Sequence, residues 1–240
     1  MRAFSKVRPS LVACAIAASA LVSHSPVFAQ PAPSAGANRN DAYRQGVALL
    51  QQGEINGDVA LLNRAANIFR QNALALTPQK DKAANWADIQ GKLGRALLCI
   101  GALTQSQPHY EQAASAYRAA LGVKTRSASP QDWASLQNGL GGALLGMGKM
   151  TGLTAHLQLA ESAFRSALDV YSKEETPVQW ADARTNLGIT HFMLGDLTGD
   201  KKYYSAALEE LASAQPLLAR SAANSVAAIL KQIERRIGES

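Results

Sequence analysis

The sequence predicts an all-α protein: a solenoid of stacked antiparallel helix pairs closed by a C-terminal capping helix. Three observations carry that expectation. A stretch of 47 residues recurs in register, with Trp86, Trp133 and Trp180 at one position and Leu93-Gly94, Leu140-Gly141 and Leu187-Gly188 at another. A second block follows at three- and four-residue steps: Ala113, Tyr117 and Ala120, then Ala160, Phe164 and Ala167, then Ala207, Leu211 and Ala214. Such steps place side chains on one helix face. Finally, β-branched and aromatic residues are few and never alternate over a useful length, so no strand is expected. Self-similarity at a period of this size means stacked units, each too small to bury its own apolar face.

The chain opens with an expected targeting segment, residues 1–29. Arg2, Lys6 and Arg8 stand without any acid, Leu11 to Val22 is a largely apolar run of 12 residues, and Val27-Phe28-Ala29 offers small residues for cleavage. That order reads as a secretory signal peptide, and the run is too short to span a bilayer. Leu11-Val12-Ala13-Cys14 looks like a lipoprotein box, but there the apolar stretch precedes the modified cysteine, and here most of it follows Cys14. Soluble export, periplasmic or secreted, is therefore favoured over a lipid anchor. Residues 30–39, QPAPSAGANR, lack periodicity and read as a disordered linker.

Cleavage would leave 21 Lys and Arg against 18 Asp and Glu, so the net charge falls from +6 to +3. No basic run is clustered with aromatics, so no nucleic-acid partner is expected. Cys99 alone survives, which excludes an intrachain disulfide framework; among Leu97, Leu98 and Ile100 it reads as a buried thiol. No further segment is apolar enough for membrane insertion.

From Asn40 onward each unit divides into two helices. The first opens at Ser129-Pro130 or Thr176-Pro177, since proline suits the first helical turn. It is expected to run to Gly148 or Gly195, with that glycine as a left-handed cap. The second helix carries the Ala-x-x-x-aromatic-x-x-Ala set. An upstream copy is offset by 48, with Gly46, Gly53, Ala65 and Phe69 matching Gly94, Gly101, Ala113 and Tyr117. Four units then fill residues 40–220. Residues 221–240 follow as a capping helix, with Val226, Ile229, Leu230, Ile233 and Ile237 on one face and Lys231, Gln232, Glu234, Arg235 and Arg236 on the other.

These residues resemble the tetratricopeptide repeat, whose signature runs Trp, Leu-Gly, Tyr on the first helix and Ala, Phe, Ala on the second. The resemblance covers residues 40–220, with departures. The period is 47 residues rather than about 34. The tryptophan stands seven residues before Leu-Gly, and Leu97, Leu144 and His191 replace the following aromatic. The pattern is similar to a long-period bacterial subclass. The resemblance implies a superhelix whose first helices line the concave face, with binding residues at Asp88, Gly91 and Arg95, at Ser135, Asn138 and Gly142, and at Asp182, Thr185 and Ile189. The pairings with which some relatives clamp a terminal carboxylate are missing.

No catalytic constellation is legible, and no cofactor or metal site is expected. His109 and His156 occupy equivalent places, and stacked units hold such places roughly 8–10 Å apart, too far for a shared ion to be favoured. His191 reads as structural. Arg70, Arg118 and Arg165 recur at one position, and a solvated face with local ion pairs is favoured over a ladder for an anionic partner. The expected function is that of an exported, non-catalytic scaffold binding a protein or peptide in the bacterial cell envelope. The alternative is a receptor for a small molecule or an anionic cell-wall polymer. Oligomeric state is not legible.

Overall fold

The computed structural model describes residues 39–76 and 83–238; the expected signal peptide and most of the expected linker lie outside them. Among the described residues every regular element is helical. Helices α1 (Arg39–Asn56), α2 (Val59–Leu76), α3 (Ala83–Thr104), α4 (Gln107–Leu121), α5 (Pro130–Thr151), α6 (Thr154–Leu168), α7 (Pro177–Thr198) and α8 (Lys201–Ala214) form four pairs. A short 3-10 turn, Gln215–Leu217, leads into α9 (Arg220–Gly238). Pro130 and Pro177 open α5 and α7, where a missing N–H leaves no hydrogen bond unmade.

Each helix packs on the next along the chain. The first helices also touch one another, α1 with α3, α3 with α5 and α5 with α7, and no two second helices approach as closely. Stacked pairs whose first helices lie closer than their second helices curve with the first helices inside. That places α1, α3, α5 and α7 on the inner surface of an all-α solenoid.

Much of the core comes from the periodic residues. Phe69, Phe164 and Leu211, at one repeat position on α2, α6 and α8, are fully buried, and Tyr117 is nearly so. The small residue of Leu-Gly makes room for them: a Cβ on Gly141 would stand 2.6 Å from Phe164 Cε1. Val226 and Ile233 of α9 pack on Phe192, Tyr204 and Leu211, which makes α9 the cap of the last pair. Ile237, the expected end of its apolar stripe, stays 38% exposed.

The structure corrects the expected helix ends. Gly148 and Gly195 are buried inside α5 and α7, because Leu157 and Tyr204 of the following helices pack where their side chains would be. The left-handed caps lie four residues further on, at Gly152 (φ 68°) and Gly199 (φ 72°), whose N–H groups donate back to the carbonyls of Gly148 and Gly195 at 2.8 Å. The second unit performs the same turn with Gln105 at φ 52°.

The three tryptophans are half-buried rather than sealed. Trp133 and Trp180 pack about Ala134, Ala167, Tyr171 and Ala183. Cations cover their faces: Arg126 lies 5.5 Å from the Trp133 ring centre and Arg184 lies 4.9 Å from that of Trp180.

Candidate functional site

The inner surface is built from residues the resemblance singles out, and the structure gives them unequal roles. In the third unit, α5 presents only short groups there: Ser135 is exposed, and Asn138 and Gly142 are half-buried. Asn186 on α7 donates to Asn138 Oδ1 at 3.4 Å, tying the floors of the last two units together. A Cβ on Gly142 would meet Leu98 at 3.3 Å, and one on Gly91 would meet Leu136 at 3.0 Å. Both glycines therefore serve contact between neighbouring first helices. Ile189 is half-buried between Phe192 and the cap.

Arg95, one of the binding residues the resemblance implies, is held in an ion pair. Its guanidinium donates through Nε and Nη2 to the carboxylate of Glu54 on α1, the second contact at 2.7 Å. The Glu54 side chain is 2% exposed and that of Arg95 is 30% exposed. The Cys99 thiol donates to the same carboxylate at 3.7 Å. Burial pushes the Glu54 carboxyl up, while the adjacent guanidinium pulls it back toward the ionised form. Nearby Lys92 is held below the ordinary lysine range, first by burial and then by repulsion from Arg95. Arg95 thus closes a buried ion pair between the first two units.

Asp88 is likewise engaged. Lys124, from the loop after α4, donates to Asp88 and to Asp132 at 2.8 Å each, bridging the starts of α3 and α5. One period later Tyr171 takes the place of Lys124, with its phenol beside Ser135, which stands where Asp88 does. Burial pushes the Tyr171 phenol up to about 12.

Asp182 and Thr185, also implied as binding residues, are buried on α7, against which the third unit and the turn before α9 pack. Thr185 is fully buried, and its hydroxyl donates to the Ala181 carbonyl at 2.8 Å, which fixes it as a structural residue. Asp182 is 7% exposed, and its carboxylate makes no hydrogen bond or ion pair with any described residue. Burial pushes its pKa up to about 8, against the opposing attraction of Arg95. Arg95 stands on α3, the first helix two units before that of Asp182.

The remaining candidates take local partners. His109 Nδ1 lies 2.7 Å from Ser106 Oγ and His156 Nδ1 lies 3.1 Å from Thr151 Oγ1, each beside the start of a second helix. His191 is buried, with Nε2 3.3 Å from Glu161 Oε1. Arg70, Arg118 and Arg165 are exposed; Arg70 donates to Asn67 at 3.0 Å and Arg165 pairs with Glu161 at 3.0 Å. No group of three or more His, Cys, Asp or Glu is placed to hold a metal among the described residues. No described helix is long and apolar enough to cross a membrane.

Sequence reasoning missed Glu54, Lys124 and Tyr171. The second and third lay within reach, since positions 124, 171 and 218 are one period apart. No protein-family model matches the chain, and no curated protein matches it.

Proposed function

We propose that this chain is a non-catalytic scaffold that binds an extended peptide segment of a partner protein along the inner surface of its first helices. The observation that carries this reading is the floor of the third unit. There Ser135, Asn138 and Gly142 leave α5 without a long side chain, between Arg95 on one side and Asp182 on the other. A shallow channel with short polar walls suits main-chain and side-chain contacts from an extended segment. The 47-residue pattern of Trp, Leu-Gly and Ala-aromatic-Ala supports assigning the repeats to a long-period branch of the tetratricopeptide class. The basic, apolar and small-residue order of residues 1–29 supports export to the periplasm or medium.

The test is a pull-down from bacterial envelope extract, read by mass spectrometry, with the chain lacking residues 1–29 and two variants. Ser135→Trp places a large ring on the floor of the third unit, on a different helix from Glu54 and from Arg95. A triple change of Arg70, Arg118 and Arg165 to Ala strips the opposite face. Proteins retained by the parent and the triple variant but lost on Ser135→Trp support the channel. Retention by Ser135→Trp with loss on the triple change moves the working surface to the second helices and refutes the reading.

A further inference from the structure

The repeat supplies a partner to one inner-surface position in two units and withholds it in the last. Asp88, Ser135 and Asp182 occupy that position, one period apart. The residue set to meet each of them follows the second helix, at Lys124, Tyr171 and Leu218. Lys124 neutralises Asp88 at 2.8 Å, and the polar Tyr171 phenol stands beside Ser135. Leu218 has no charge and no donor on its side chain; it packs against the cap instead. Asp182 is therefore an acid at the same repeat position as Asp88 with no cation in contact; the cation that attracts it, Arg95, is committed to Glu54.

Its surroundings point outward for that cation. Asp182 is 93% removed from solvent and pairs with nothing among the described residues. Yet its oxygens are not among the wholly enclosed, unpartnered polar atoms, which are Arg184 Nε and His191 Nδ1. The carboxylate thus keeps an opening. The neighbouring floor is Ser135, Asn138 and Gly142, none of which carries a long side chain, with the Tyr171 phenol at its edge beside Ser135. A desolvated acid without a contacting partner is held in its neutral form, and an ammonium or guanidinium group that reaches it favours its ionisation and forms a charge-assisted hydrogen bond.

We propose that Asp182 is the receptor site for a basic side chain, lysine or arginine, of the bound peptide, taking up there the role that Lys124 plays toward Asp88. This rests on the peptide-binding reading above and adds the chemical class of its ligand. The site selects for positive charge at one register of the peptide, set by the place of Asp182 on α7.

A display library of random 12-residue peptides, selected in parallel on the folded chain and on Asp182→Asn, tests it. Asparagine keeps the shape and removes the charge, and circular dichroism confirms that the variant is folded. The expected result is peptides enriched in lysine or arginine on the parent chain and no such enrichment on Asp182→Asn. A recovered basic peptide should bind the variant at least tenfold more weakly, while its norleucine analogue binds both alike. Leu218→Lys, which restores an internal cation, should abolish the preference as well. Peptides recovered without basic enrichment, or with the same enrichment on Asp182→Asn, overturn the site and leave the channel standing. Recovery of no peptide from either protein overturns the peptide-binding reading and the site with it.

Discussion

Replacing Asp182 by asparagine should stabilise the protein, and should do so increasingly as pH rises. In the folded state burial lifts this carboxyl from the ordinary 3.8 to about 8, with Arg95 opposing. In the unfolded chain it ionises near its ordinary value. Because the folded pKa is the higher one, the native state binds a proton that the unfolded state releases. The contribution of Asp182 to stability is therefore fully present below about pH 4 and is lost as pH rises toward 8, beyond which nothing further changes. Each pH unit of that interval is worth ~1.4 kcal/mol, giving a ceiling of about 5 kcal/mol at pH 8. Water reaching the exposed rim of the carboxylate relieves part of this, so about 2–3 kcal/mol is expected. Asparagine mimics the neutral acid and removes the dependence. Urea unfolding followed by circular dichroism at pH 4, 6 and 8 measures it. The variant and parent should have similar midpoints at pH 4, and the variant should unfold roughly 1 M later at pH 8, for a slope on the order of 2 kcal/mol per molar urea. The remaining titratable groups are common to both proteins and cancel in the comparison. A midpoint difference that stays constant from pH 4 to 8 would refute the argument that Asp182 is buried without a partner.

Four further outcomes follow from the packing. Arg95→Ala leaves the Glu54 carboxylate buried and unpaired, so it should cost about 3 kcal/mol in urea unfolding, and Glu54→Met added to Arg95→Met should recover part of the loss. Gln105→Gly should raise the melting temperature, by about 0.5–1 kcal/mol in stability, because glycine adopts the left-handed turn without the steric cost that glutamine carries there. Gly141→Ala should lower stability by about 1–3 kcal/mol, since its methyl group would stand 2.6 Å from the Phe164 ring. Trp133→Ala should cost about 2 kcal/mol, below the 3–5 typical of a fully buried tryptophan, because the ring is half-buried beneath Arg126.

The fold was legible because its signal is repeated. Trp86, Trp133 and Trp180 set the period, and the Ala-aromatic-Ala set showed which helix face each unit buries. The cap was legible from the apolar stripe of α9. What one unit does differently from the others was less accessible. Gly148 and Gly195 had the residue type of a cap, but they serve a close approach, which depends on where Leu157 and Tyr204 fall in space. The inner-surface positions were assigned from the family resemblance, which gives a place in the repeat but not its depth in each unit. Thr185 and Asn138 share one repeat position, yet the first is sealed and the second half-open. Arg95 could not be known as half of an ion pair, because Glu54 lies on another helix 41 residues away. The loop residues Lys124, Tyr171 and Leu218 were readable in principle, since the period reaches them as well.

The central claim is that the first-helix surface holds a peptide, and site-specific photocrosslinking tests it most directly. A photoreactive phenylalanine analogue is placed at Ser135, exposed on the floor of the third unit, and in a second protein at Arg118, exposed on α4. Each is irradiated in the presence of envelope extract. The account predicts covalent capture of a protein partner from position 135, at a peptide segment carrying a lysine or arginine, and none from position 118. Capture from position 118 with none from position 135 would contradict it.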